Sequence, residues 1–118
     1  MKKYLFVMRQ APHLSSRLQE ALDQLLTTAA FDQQVEILFI DDGVFQLKIG
    51  QDSSVMAGKD TAACFNALSL YGVERLMVES QSLQERGLSQ DDLILSVTVI
   101  SRDSLALLFR EYDILVPD

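Results

Sequence analysis

Three places in this 118-residue chain carry side chains that could do chemistry. Asp41 and Asp42 follow the apolar run VEILFI at 35–40 and precede Gly43. Adjacent carboxylates beyond a strand could hold a divalent cation, as in phosphate-accepting receiver domains of sheet-and-helix topology. Such domains also need an aspartate after the third strand and a lysine after a later one, whereas here Glu79 follows the third strand and no lysine lies beyond Lys59. The plainer expectation is that one acid caps the following turn and the other is solvated. Cys64, the single cysteine, could be a nucleophile or a sulfur carrier. A reactive thiolate is favoured by a helix amino terminus, a basic neighbour or a loop. Cys64 instead falls four residues into a predicted helix, on one stripe with Leu68 and Tyr71, which reads as core; sulfur chemistry there stays open as the alternative. His13, the single histidine, could act as a general base, but no nucleophile is near it in sequence, and a loop hydrogen bond accounts for it.

Other chemistries fail on count. Structural zinc needs about four sulfur or imidazole ligands, and the chain has one of each. Nucleotide sites need clustered glycines so that backbone amides can approach phosphate, yet Gly43, Gly50, Gly58, Gly72 and Gly87 are all isolated. The hydroxyls a flavin phosphate would want after the first strand are limited to Ser15 and Ser16, which a helix cap explains. The expectation is therefore no cofactor and no metal. Seventeen acids against ten scattered bases give a net charge of -7. Nucleic-acid binding draws its affinity from concentrated positive charge, so no direct contact with nucleic acid is expected.

The elements that must position these residues alternate between strand and helix. The run 4–8 is continuously apolar, as in a strand covered on both faces. It is too short for a signal peptide and no small-residue cleavage site follows, so MKKYLFVM is read as a first strand. Leu18, Ala21, Leu22, Leu25, Leu26 and Ala29 recur at helical spacing, and Ser16 with Gln19 has the spacing of a capping box. The second strand covers 35–40, with a single helical turn at 44–47. Residues 51–59 read as a loop, and a second helix runs from Asp60 to the stop at Gly72. A third strand at 76–78 precedes a turn at 82–86, in which Ser82 and Glu85 have capping-box spacing and Gly87 supplies the stop. Strand 93–100, helix 103–111 and strand 114–116 complete the chain.

This alternation predicts an α/β fold: a three-layer sandwich around a five-stranded parallel sheet, in the flavodoxin-like order 2-1-3-4-5, as one domain over 1–118. Partners and ligands of such sheets meet the carboxyl ends of the strands, here residues 9–13, 41–45, 79–82 and 101–103. No apolar run approaches the roughly 20 residues that span a bilayer. A single cysteine rules out an intramolecular disulfide and fits a reducing, cytoplasmic setting.

The run FIDDGVFQL, the first strand followed by APH, the segment SLQERGL and the closing LFREYDIL together resemble the DsrE/DsrF-like family, most closely its TusC (DsrF) branch, over essentially the whole chain. The resemblance implies the same five-stranded parallel fold and a cytoplasmic subunit of a sulfur relay. It implies TusB-like and TusD-like homologous subunits in a heterohexamer, a dimer of heterotrimers. A TusE-like acceptor would then pass persulfide sulfur on towards 2-thiolation of the wobble uridine of tRNA; a DsrF-type subunit of a sulfur-oxidation complex is the alternative. Sulfur-accepting members place their cysteine eight residues before the glycine that matches Gly87, and in this chain that position is Glu79. A carboxylate cannot carry a persulfide, so the resemblance implies a non-catalytic partner rather than an enzyme. The expected interface is the DDG turn, Asp41, Asp42 and Gly43, with Val44, Phe45 and Leu47 beyond it. Phe45 could equally fold back onto its own domain.

Overall fold

The computed structural model describes residues 2–9, 24, 27, 28, 30, 31, 34–47, 73, 75–93 and 97–117. Five parallel strands form one sheet: β1 (Lys3–Met8), β2 (Gln34–Phe39), β3 (Leu76–Glu79), β4 (Thr98–Ile100) and β5 (Ile114–Pro117). Among the described residues, the short α-helices α1 (Ser80–Glu85) and α2 (Leu105–Phe109) accompany 3-10 helices at Asp41–Leu47, Gln90–Asp92 and Arg102–Ser104. Residues 24, 27, 28 and 30 are helical, within the first predicted helix. The rest of that helix, the loop 51–59, the helix 60–72, His13 and Cys64 lie outside the described residues.

The α/β class and the five-stranded parallel sheet follow the alternation read from the sequence, but the strand order does not. It runs β4-β3-β2-β1-β5, so β2 pairs with β1 on one side and β3 on the other. The order 2-1-3-4-5 would have put β1 between β2 and β3. Hydropathy cannot separate these arrangements, because both β1 and β2 are apolar runs buried on both faces. Which of them is central depends on pairing between segments far apart in the chain.

The order also sets the layers. Right-handed crossovers that step in one direction lie on one face of a sheet, and a step back lies on the other. The connections from β2 to β3 and from β3 to β4 bring Val44, Leu47, Leu83 and Leu93 onto Phe6, Met8, Val35, Ile37, Phe39 and Val78. The return from β4 to β5 brings Leu108 and Tyr112 onto the opposite face, against Leu5, Val7, Leu38 and Met77. Alternate residues of each strand thus feed two cores, the period-2 rule at work. Full burial of side chains such as Phe6, Phe39 and Ile37 contributes about 1.5–3 kcal/mol each before entropy is counted.

Helix α1 begins at Ser80, two residues before the predicted capped turn. The expected Ser82 and Glu85 capping box is not what holds it, since both side chains are engaged elsewhere. Gly87 ends the segment as expected, with φ at 67°, where glycine has no Cβ to clash. Strand β4, Thr98–Ile100, covers the end of the predicted strand 93–100, of which residues 94–96 lie outside the described residues. The 3-10 turn Gln90–Asp92 precedes it, with the Asp92 carboxylate accepting from the Ser89 amide at 2.8 Å and the Ser89 hydroxyl at 3.2 Å.

Candidate functional site

The carboxyl ends of β2, β3 and β4 lie side by side, and their first residues build one polar crest. Asp41 follows β2 with φ at 50°, in the left-handed region that costs a residue other than glycine about 1–3 kcal/mol. Its surroundings hold it there. The Asp41 amide donates to Ser82 Oγ at 2.8 Å, and Arg9 Nε donates to Asp41 Oδ2 at 3.1 Å. Gly43 lies two residues on, pressed onto the end of β1: a Cβ at that position would stand 1.9 Å from the Met8 carbonyl oxygen. Glycine is required here by close backbone approach rather than by φ.

The acid pair is more engaged than the expectation of one solvated acid. Asp42 Oδ1 accepts from Arg86 Nε at 3.0 Å while Asp41 faces Arg9, so neither acid is merely solvated. Among the described residues no group of three or more histidine, cysteine, aspartate or glutamate side chains could hold a metal ion. The apolar side of the turn also needs correction. Val44 and Leu47 are fully buried in the domain's own core, Gly43 is buried against β1, and Phe45 is half-buried. The 3-10 winding turns Val44 and Leu47 towards the sheet, because residues three apart share a face in that helix. Among the described side chains of the turn, Asp42 is exposed and Asp41, like Phe45, is half-buried.

Glu79 is the last residue of β3 and only 3% exposed. Its Oε1 accepts from Ser82 Oγ at 2.5 Å and from Arg102 Nη2 at 2.9 Å. The same Arg102 nitrogen donates to Glu85 Oε1 at 2.9 Å, and the Arg102 amide donates to Gln81 Oε1 at 2.8 Å. Burial alone would push the Glu79 carboxyl up, but the Arg102 and Ser82 hydrogen bonds, with the Arg102 charge, outweigh it and hold Glu79 below the ordinary carboxylate value. Glu85 is lowered by its hydrogen bond to Arg102 and then by the charge of that guanidinium, and Arg102 is raised in turn by its hydrogen bonds to Glu79 and Glu85.

These contacts close into a ring. From the Asp41 amide it runs through Ser82, Glu79, Arg102 and Glu85 to Arg86, 3.7 Å from Glu85, and then to Asp42, next in the chain to Asp41. Chemically the ring is closed. Ser82 is fully buried and its proton is held by a carboxylate with no imidazole between them, so it is not presented as a nucleophile. No cysteine or histidine is among the described residues.

Sequence reasoning singled out Asp41, Asp42 and Glu79 but missed Ser82 as a link and all three arginines. The i, i+3 spacing of Glu79 and Ser82 was a usable signal. Arg102 left none, since its carboxylate partners Glu79 and Glu85 are 23 and 17 residues away in the chain.

A second buried carboxylate lies at the opposite, amino-terminal end of the sheet. Glu36 of β2 accepts a short hydrogen bond from the Tyr112 hydroxyl, and Arg75 Nη1 stands 3.6 Å from Glu36 Oε1. Lys3 Nζ sits 4.8 Å from the centre of the Tyr112 ring, and the Lys3 amide donates to Asp113 Oδ2 at 2.7 Å. Burial first, and then the hydrogen bond to Glu36, raise the Tyr112 hydroxyl well above its ordinary value.

Comparison with known proteins places the whole chain. The sequence profile of the DsrE/DsrF-like family matches residues 2–117. The chain is 42% identical over 109 residues to a protein TusC homolog of Pseudomonas aeruginosa, covering 92% of each chain. It is 44% identical over 94 residues to the intracellular sulfur oxidation protein DsrF of Allochromatium vinosum, covering 80% of this chain and 69% of that one. The crystal structure of the ychN protein from E. coli superposes over 100% of both chains with a TM-score of 0.84 at 20% identity, a likeness of fold.

Proposed function

The chain belongs to the DsrE/DsrF-like family, and from that premise we propose that it is a non-catalytic subunit of a cytoplasmic, TusBCD-type sulfur relay. In this reading TusB-like and TusD-like homologues complete a heterohexamer. The TusD-like partner carries the persulfide, and a TusE-like acceptor takes it on towards 2-thiolation of the wobble uridine of tRNA. The observation that carries the reading is Glu79. The position implied for a sulfur-accepting cysteine holds a buried carboxylate whose Oε1 is already shared by Ser82 and Arg102. A carboxylate offers no sulfur to extend.

The net charge of -7 suits a subunit that leaves tRNA to another component. No helix among the described residues is long and apolar enough to cross a membrane. The likeness to DsrF supports a second assignment of the same subunit role, to a complex that oxidises sulfur.

Gene deletion with complementation separates these readings. Deletion should abolish 2-thiouridine in tRNA, and both the wild-type gene and Cys64→Ser should restore it, while the tagged chain co-purifies with two small homologues. Failure of Cys64→Ser to complement would turn the assignment to a carrier that uses Cys64. Intact thiolation after deletion, with loss of sulfur oxidation, would favour the DsrF-type complex. A chain that stays monomeric when co-expressed with the two homologues would remove the subunit reading altogether.

A further inference from the structure

Helix α2 carries more apolar surface than its own domain uses. Its five residues, LALLF, are all apolar, yet only Leu108 is buried; Leu105 and Phe109 are partly buried against the same core, and Ala106 and Leu107 are exposed, Leu107 to 67%. A helix that is apolar on every side is ordinarily covered on every side. The flanks of α2 specify the cover. Asp103 in the preceding 3-10 turn, Ala106 and Leu107 in the helix and Arg110 at its end are all exposed, and their spacing of three and four sets them along one crest on the side away from Leu108. That crest has an acid at one end, a base at the other and apolar groups between. The midpoint of Asp103 and Arg110 is also the midpoint of Ala106 and Leu107, so the crest turned end for end is its own electrostatic complement. Its charges are also uncommitted. Arg9, Arg75, Arg86 and Arg102 each pair with a carboxylate of this chain, whereas among the described residues no ion pair engages Asp103 or Arg110.

We propose that the α2 crest is the docking surface for a second copy of this chain, seated antiparallel about a two-fold axis that passes between Ala106 and Leu107. A two-fold contact makes every pairing twice. Asp103 of either copy meets Arg110 of the other, and each Leu107 lies over the other copy's Ala106, whose small side chain lets the helix axes approach to about 8 Å. Parallel packing would instead set Asp103 against Asp103 and Arg110 against Arg110. Leu115 of the edge strand β5 lies on the same side of the sheet, since it is paired with Leu5 of that core, and at 43% exposure it adds apolar surface there. A crest of about two turns covers less than the roughly 800 Å² per partner of a standard stable interface, so the pair is reversible. The inference goes beyond the relay-subunit reading and does not rest on it.

The test is sedimentation equilibrium of the full chain from about 10 μM to about 1 mM, the range in which a contact of this size associates. The wild type should pass from monomer to dimer and no further, because a two-fold contact closes. Asp103→Arg and Arg110→Asp should each weaken dimerisation about tenfold, since two attractive pairs become repulsive. Mixing these two variants should restore association as a heterodimer, and combining both substitutions in one chain should restore the homodimer; neither recovery follows from unspecific apolar contact. Leu107→Asp should abolish dimerisation. The substituted side chains are all exposed, so each variant should keep the wild-type midpoint of urea unfolding. A wild type that is monomeric throughout, a Leu107→Asp variant that still dimerises, or charge variants that do not recover on mixing overturn the proposal.

A photocrosslinker placed at position 107 decides the occupant when the two homologous subunits are co-expressed. The expected adduct joins two copies of this chain. An adduct to a homologue alone, or none, overturns the proposal, while co-purification of the homologues still decides the subunit reading.

Discussion

The two ends of the sheet each bury a carboxylate, and they use it differently. At the amino-terminal end Glu36 is bound by Tyr112 and Arg75, groups that precede β5 and β3, and this cluster joins the last strand to the centre of the sheet. At the carboxyl end Glu79 is bound by Ser82 and Arg102, and through them it reaches side chains that face solvent: Asp41 at 42% exposure, Asp42 at 54% and Arg102 at 46%. One buried acid closes the fold; the other is wired to its surface. Burial alone therefore says little about function, and what a buried acid is connected to says more.

The sharpest way to break the comparison is at Gly43. Gly43→Ala would drive a Cβ into the Met8 carbonyl, a backbone atom that cannot step aside, and should destabilise the fold by about 3 kcal/mol or more in urea unfolding while abolishing co-purification with partners. Tyr112→Phe probes the other end. It leaves Glu36 without its hydroxyl donor and should cost roughly 1–3 kcal/mol in the same assay, with assembly of the remaining folded protein unchanged. Assembly lost with Tyr112→Phe at full folding would erase the distinction between the ends.

Arg102→Ala tests the carboxyl end through pH. The Glu79 carboxyl is held below its ordinary value, so its contribution is present above the unfolded pKa of about 4.3 and is lost as pH falls through the lower folded value. Without Arg102 that depression shrinks, and the midpoint of acid unfolding should move to higher pH; an unchanged midpoint would mean that the ion pair is idle. The smallest effect is expected at Arg9. Its pair with Asp41 is exposed on both sides, so Arg9→Ala should change stability by less than about 1 kcal/mol, and the effect should fade in high salt.

Much of the architecture could be read locally. The apolar runs at 4–8 and 35–40 match β1 and β2 within a residue, the helical turn expected at 44–47 lies within the longer 3-10 helix Asp41–Leu47, and Gly87 stops α1 with the positive φ that its position predicts. The errors share a cause. Val44 and Leu47 were expected on a partner-facing surface and lie in the core, because a four-residue apolar stretch does not say which way its turn winds. Ser82 and Glu85 have capping-box spacing, yet Arg102 draws Glu85 away.

By itself, then, the sequence determined β1 and β2 within a residue, the parallel α/β class, the absence of a sulfur at position 79 and, through its motifs, the family. These depend on side-chain period, residue type and neighbours within a few positions. Tertiary structure alone decided that β2 lies between β1 and β3, that the Asp41 amide meets Ser82 at a separation of 41 residues, and that Tyr112 meets Glu36 across 76. Those pairings arise when distant strands align and bring their ends together. No local pattern encodes such an alignment, because its free energy belongs to contacts that exist only once the sheet has formed.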